Sequence, residues 1–549
     1  MANPTPSTSP FPQTGDLIID AMTTGFRWTL GADRTIDWSI SGGFAGEFWS
    51  SPTLVQQHAA AMLDTFAYYA NVRFTYVGSF SDPAAAAAAG SEINFFSSTS
   101  TTAFSSSNVW GRAFFPTTIG EAYPGAAGDV ILNQNSPANS LPTYAPGSAG
   151  WFLFIHEIGH ALGLKHPFDD GGTGRPTVSD LGLPELDIDW ATMMAYGDDY
   201  NYNFRDYDPA TPMVLDVLAL QYLYGPNMST NAGDGVYNLS ASNRYVTVWD
   251  AGGQDLISAN NSDRGWYIYM PDEQISNLSP ARIGYAMPLS EIDLSSPRSL
   301  TWFLGNIEDA VGSSFADEIY GSVLNNAISG LGGDDYILGW DGADTIDGGG
   351  GNDEIFGGIG DDLIGDTAGG SNYLRGDEGN DRILGGTDFD DINGNMGNDT
   401  AFGGSGNDWV VGGKDNDSLD GGAGNDLVYG NLGSDTCFGG DGNDTVRGGQ
   451  GEDQLQGGAG NDYLSGDREN DTLTGGSGAD IFHSHSEAGV DRITDFNRGE
   501  GDQIQLLAGS TYTVAQVGAD TVISIGSNGA QLILAGVSMS SLTGGWITA

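Results

Sequence analysis

Between residues 331 and 484 the chain repeats a nine-residue unit, Gly-Gly-x-Gly-x-Asp-x-U-x with U apolar, and few patterns narrow the choice of fold so far. The aspartates fall at Asp335, Asp344, Asp353 and Asp362. A one-residue insertion then puts Asn372 in their place, and the series resumes without a slip as Asp381, Asp390, Asp399, Asp408, Asp417, Asp426, Asp435, Asp444, Asp453, Asp462, Asp471 and Asp480. Two residues after each stands an apolar side chain, from Ile337 to Phe482, with Ala401 and Cys437 among them. Seventeen frames in phase exclude a Gly/Asp-rich disordered linker, because composition alone does not keep apolar positions in register.

The spacing has a chemical reason. Glycines allow tight turns that bring backbone carbonyls inward, the aspartate adds a hard anionic oxygen, and the apolar residue turns into a core. The expected result is a parallel β-roll with two nonapeptides per coil. Residues 331–480 hold 32 acidic and 5 basic side chains, a net of −27 and half of the −54 carried by the whole chain. Without a cation these carboxylates repel one another. Calcium, which takes about six to eight oxygen ligands, is the matching partner. Asn372, Ala401 and the ends of the array depart from the motif, so occupancy is not expected of every frame.

So acidic a chain is not expected to bind nucleic acid or an anionic membrane surface. A single cysteine excludes an intramolecular disulfide, and Cys437, in an apolar slot, reads as an inert buried thiol. Residues 1–13 are rich in Pro, Ser and Thr and have neither the basic start nor the apolar stretch of a secretory signal peptide. No run is long enough to span a bilayer.

A second signal lies upstream, where three of the six histidines stand in the eleven residues from His156 to His166. The apolar run around them reads as a buried helix on which His156 and His160, at i and i+4, share one face and can reach one metal ion. Glu157, one position round, is placed to take a proton from water at that metal without being a ligand. Gly163 suits a left-handed helix end, so the chain can turn back and bring up His166 as a third ligand. Three protein ligands leave a fourth position for water, whose pKa zinc lowers to about 7.

The full pattern His-Glu-x-x-His-x-x-Gly-x-x-His resembles the metzincin endopeptidases, and Pro167 directly after it is similar to the serralysin branch. Thr192-Met193-Met194-Ala195-Tyr196 resembles the methionine turn that metzincins place beneath the zinc. The resemblance implies that Met194 is the turn methionine and that Tyr196 binds zinc and swings away to stabilise the oxyanion. Thr192 and Ala195 stand where the serralysin turn has serines. The nonapeptides are similar to RTX calcium-binding repeats. Two stretches, 231–237 and 249–255, resemble the serralysin domain junction, which implies a calcium ion held in part by Asp250 and Asp255; Asn231 and Gly235 depart from that pattern.

The expected fold is multidomain. It has a 1–29 N-terminal tail or short pro-segment, an α/β metzincin protease domain over 30–228, a β-rich junction over 229–330, an all-β parallel β-roll over 331–484, and a β-rich C-terminal cap with an export signal over 485–549. Within the protease domain Thr53 is expected to cap one helix, and Thr211, with Pro212 in the first turn, to cap another that runs to Tyr224. Gly111 to Pro116 resembles the edge strand along which the family lays its substrate. The function implied is a secreted, zinc-dependent, calcium-stabilised endopeptidase acting on proteins or peptides. Its implied partners are a type I exporter and a proteinaceous inhibitor, and its location is extracellular, free or at the cell surface. The rival reading is a noncatalytic calcium-binding surface or matrix protein with a vestigial zinc site; an intact Glu157 and ligand set argue against it.

Overall fold

The structure, a computed structural model, describes residues 13–14, 17–24, 26–43, 51–98, 111–116, 126–133, 146, 148–167, 177, 191–194, 209–273, 282–292, 297–366 and 368–549, and the backbone of 5–6. Two compact units are present, one formed by 1–235, 239–255 and 271–307 and the other by 236–238, 256–270 and 308–549.

The first unit is built on a mixed sheet of five strands: β1 (Thr35–Ser41), β2 (Arg73–Phe80), β3 (Ile93–Ser98), β4 (Gly111–Ala113) and β5 (Val130–Asn133), in the order β2-β1-β3-β5-β4. All pairs are parallel except β4, which lies antiparallel along β5 at one edge, with Arg112 opposite Ile131. Every residue of β3 is buried, as expected of a central parallel strand covered on both faces. Among the described residues five helices accompany the sheet: α1 (Leu17–Met22), α2 (Pro52–Tyr69), α3 (Pro83–Ala88), α4 (Ala149–Leu162) and α5 (Val214–Tyr224). Helix α2 buries Ala59, Met62, Leu63, Phe66 and Tyr69, spaced to share one face, in a core that also takes Phe154, Ile158 and Leu162 of α4 and Leu218 of α5.

Two helix starts differ from the sequence reading. Thr53 lies inside α2, whose N-cap is Ser51 with Pro52 in the first turn. Thr211 does not cap α5. Its hydroxyl instead takes the Thr247 N–H at 2.8 Å, and the start of the helix is closed by Asp216, which accepts from the N–H of Met213, the N-cap residue, at 2.9 Å. The helix starts later than the spacing predicts, with Met213 as its N-cap, so Thr211 lies outside the capping position.

The second unit is a parallel β-roll. In one sheet Ile319, Ile337, Ile355, Leu374, Ile392, Val410, Val428, Val446, Leu464, Phe482 and Ile504 stand in register, strand upon strand. The opposite sheet stacks Ile328, Ile346, Ile364, Ile383, Ala401, Leu419, Cys437, Leu455 and Leu473 in the same way. None of these apolar residues exceeds 2% exposure, so the repeat builds a continuous core one side chain wide per coil. Cys437 is buried, which pushes its thiol pKa well above the ordinary value. At the far end the antiparallel strands Tyr512–Val517, Asp520–Ile525 and Ala530–Leu534 fold over the last coil through Ala530–Leu534, which pairs with Val490–Ile493. No helix among the described residues is long and apolar enough to cross a membrane.

Candidate metal centre

Helix α4 begins at Ser148, whose side chain accepts from the Trp151 N–H, and ends at Gly163, which is left-handed with φ 106°. A Cβ there would lie 2.3 Å from the carbonyl oxygen of Phe26, so only glycine lets the chain turn at this point. Leu164 then bonds back to Gly159 through its N–H at 2.9 Å and bridges to Thr23, which sets His166 opposite the helix face that carries His156 and His160.

The three imidazoles converge through Nε2. That of His166 lies 3.2 Å from His156 and 3.1 Å from His160. The other ring nitrogens face carbonyls, His156 Nδ1 at 2.9 Å from Met193 O and His160 Nδ1 at 3.0 Å from Leu164 O. A carbonyl only accepts, so each of these Nδ1 atoms carries the proton and each Nε2 of the helix pair presents a lone pair to the common centre. A tetrahedral ion with bonds of about 2.0–2.1 Å holds its nitrogens about 3.3 Å apart, close to the spacing observed. Burial, followed by the nearby His160 and His166, drives the His156 pKa well below its ordinary value, which keeps the ring neutral as a ligand must be. The residues therefore fit zinc.

Glu157 is buried beside this centre, and its Oε2 has no hydrogen-bond partner among the described residues. Burial pushes its pKa up to about 8, offset in part by the backbone N–H of Ala113 and the charge of Arg112, both on β4. The edge strand thus reaches the centre directly, and Phe115 just beyond it packs edge-on to His160 with ring centroids 5.6 Å apart.

Beneath the histidines lie Met193 and Met194, both fully buried. Thr192, despite replacing serine, supplies the turn's hydroxyl: it accepts the Met194 N–H at 2.9 Å and donates to Asp216 Oδ1 at 2.5 Å. Asp216 Oδ2 also takes the Met193 N–H at 2.7 Å. Its pKa, raised by burial to about 7, reflects the cost of placing a carboxyl here. Sequence pattern alone does not single out Asp216, whose signal is one acid in a mostly apolar helix. Tyr196 and Ala195 lie outside the described residues.

Asp250 and Asp255 are both buried on one loop, where Gly253 packs so closely on 233–234 that a Cβ would lie 2.7 Å from the Gly233 carbonyl carbon. In the β-roll the repeat aspartates form two ladders. The Oδ1 of each accepts the N–H of the corresponding residue one coil earlier, as in Asp335 to Asp353 and Asp344 to Asp362, both at 2.8 Å. The Oδ2 of every repeat aspartate from Asp335 to Asp471 is buried without a donor among the described residues. Burial raises their pKa values, to about 8 at Asp335, Asp417 and Asp471 and to about 6 at Asp399 and Asp435.

The ladders extend beyond the frames read from sequence, to Asp317 and Asn326 at one end and Asp491 and Asp502 at the other. There the protein itself satisfies the side chain: Asp317 Oδ2 takes Ser313 N–H at 2.6 Å, and Asp502 Oδ2 takes Asn497 N–H at 2.7 Å. The unsatisfied oxygens are therefore confined to the interior of the array, where they suit a hard cation. Asp317 and Asn326 were in phase, each followed two residues later by isoleucine, and could have been found from that signal.

Comparison with known proteins matches residues 311–346, 329–364, 366–401, 402–437, 438–473 and 457–490 to the family described as "RTX calcium-binding nonapeptide repeat (4 copies)". Among individual proteins the chain is similar to "Metalloprotease AprA" of Pseudomonas entomophila, 29% identical over 36% of this chain and 41% of that protein. It is also similar to "Serralysin G" of Dickeya chrysanthemi, 32% identical over 38% of this chain and 43% of that protein. "Serralysin" of Proteus mirabilis is 29% identical over 50% of this chain and 55% of that protein. The chain thus spans about half the length of the relatives it matches.

Proposed function

We propose that this chain, a relative of the serralysin metalloproteases carrying RTX calcium-binding repeats, is a secreted zinc endopeptidase stabilised by calcium. The observation that carries the reading is the convergence of three imidazoles, with His166 Nε2 3.2 Å from that of His156 and 3.1 Å from that of His160, beside a buried carboxylate whose Oε2 has no partner among the described residues. A structural zinc site would use a fourth protein ligand and would have no need of that carboxylate.

His156, His160 and His166 would hold the zinc, with Met194 packed beneath. When bound, zinc supplies Lewis acidity that polarises a peptide carbonyl and lowers the pKa of water. Glu157 takes the proton from the attacking water and passes it to the leaving amine. The Glu157 carboxyl, raised to about 8 by burial, would be lowered by a cation held at the histidines, into the range where it can accept a proton near neutrality. Strand β4 receives the substrate as an added antiparallel strand, so that Ala113 and Phe115 fix the peptide over the histidines. Tyr196, on the resemblance of its turn, steadies the oxyanion. Asp250, Asp255 and the repeat aspartates hold calcium, and the protein leaves the cell through a type I exporter.

The test is cleavage of a peptide library by the zinc- and calcium-loaded chain, read by mass spectrometry. Internal cleavages that stop on chelation are the expected result. A zinc-loaded chain that cleaves nothing would favour the noncatalytic surface protein.

A further inference from the structure

The interruption of the repeat at Asn372 is filled by a carboxylate from another position. In every other frame from Gly330 to Gly475 the first residue of the turn is glycine; in this frame alone it is Asp366. Strand pairing fixes the equivalence, since Asp347, Gly365 and Leu384 stand in register and Asp366 follows between Gly348 and Gly385. Those glycines have a clear reason. A Cβ on Gly348 would come within 2.5 Å of Asp353 Oδ2, and one on Gly385 within 2.6 Å of Asp390 Oδ2. The aspartate of the turn ordinarily fills the space above its first residue.

Asn372 leaves that space open. Its Oδ1 keeps the ladder by accepting the Asp353 N–H at 2.9 Å, but its Nδ2 donates to Gly370 O at 3.2 Å and Asp390 Oδ1 at 2.9 Å. An amide nitrogen has replaced the second carboxylate oxygen. The side chain of Asp366 enters the gap and is completely buried; the backbone N–H of Ala368 is directed at it, but neither oxygen completes a hydrogen bond among the described residues. It meets the carboxyl of Asp353 on one side and faces Asp390 on the other, both themselves buried with Oδ2 unsatisfied. Both oxygens of Asp366 and the Oδ2 atoms of Asp353 and Asp390 are left to share a cation, and oxygen-only ligands of this charge select calcium.

We propose that Asp366 supplies the anionic ligand that Asn372 lacks, so that a calcium ion is bound at the interrupted turn by Asp366, Asp353 and Asp390. The proposal rests on reading the repeats as calcium-binding. It accounts for two departures from the motif that coincide in a single frame, an acid where glycine is otherwise invariant and an amide where an acid is expected. The carboxylate has moved from the end of the turn to its start.

Calcium bound per full-length chain, counted by equilibrium dialysis with labelled calcium, tests this. Asp366→Asn should lose one ion, as should Asp426→Asn, an ordinary frame of the same ladder. The double variant Asp366→Gly with Asn372→Asp restores the glycine at the start of the turn and the aspartate at its end, and should regain the wild-type count. The proposal is overturned if Asp366→Asn keeps the full count while Asp426→Asn loses one. Absence of calcium from the wild-type chain overturns the reading of the repeats as well, so the two failures are distinct.

Discussion

Gly159 and Met194 meet so closely that a Cβ on the glycine would lie 2.8 Å from the methionine sulfur and 2.8 Å from Cε of Met193. The helix carrying His156 and His160 rests on the side chains of Met193 and Met194 with no room for a Cβ between them. Gly159→Ala should therefore push the turn away and destabilise the first unit by about 1–3 kcal/mol, as overpacking does. Because Met193 O orients His156, zinc should also be lost to chelator sooner. Thermal unfolding combined with zinc release reads both effects, and an alanine variant matching wild type in each would contradict the packing account.

Asp216 ties the same turn to α5, and its loss should be felt at both. Asp216→Ala leaves the N–H groups of Met193 and Met213 without an acceptor, at about 1–3 kcal/mol for each buried orphan. Asp216→Asn retains an acceptor oxygen and should cost less. Equal stability of the two variants, measured by denaturant unfolding, would show that the carboxylate is not what holds the turn.

These two contacts mark the limit of what could be read from the sequence. The convergence of His156, His160 and His166 was legible because helical periodicity and one left-handed glycine bring together three histidines that lie within eleven residues. The β-roll was legible because each coil repeats the last. The hold of Asp216 on Met193 and the contact of Ala113 with Glu157 were not, since they join residues across long chain separations that no local pattern encodes. Asp366 was hidden for a different reason: it looks like one more acid in an acidic array until strand register places it at a glycine position.

Tyr196→Phe should lower kcat by about 10²–10³-fold with little change in KM, as loss of an oxyanion donor does. Steady-state kinetics on a peptide substrate separates the two constants. A change confined to KM would make Tyr196 a substrate-positioning residue.

The β-roll should depend on calcium more strongly as pH rises. Without cation, burial raises the pKa values of the repeat aspartates, to about 8 at Asp335, Asp417 and Asp471 and to about 6 at Asp399 and Asp435, far above the unfolded value, so their ionisation opposes folding. The calcium-free roll is accordingly most stable below that range and loses stability as pH rises through it, whereas calcium binding, which displaces those protons, strengthens over the same interval. Circular dichroism in chelator should keep β-signal at about pH 5 and lose it at about pH 8, and calcium should restore it where sodium at matched ionic strength does not. Full β-signal in chelator at the higher pH would show that the carboxylates need no cation.

The central claim, that the histidine centre with its buried carboxylate is a hydrolytic site, is tested most directly by Glu157→Ala in the calcium-loaded full chain. Bound zinc and peptide hydrolysis should be measured on the same sample. The account predicts one zinc per chain, as in wild type, with hydrolysis reduced by about 10²–10⁴-fold or more, since the residue moves a proton and holds no metal. Wild-type turnover by the zinc-loaded variant would contradict it.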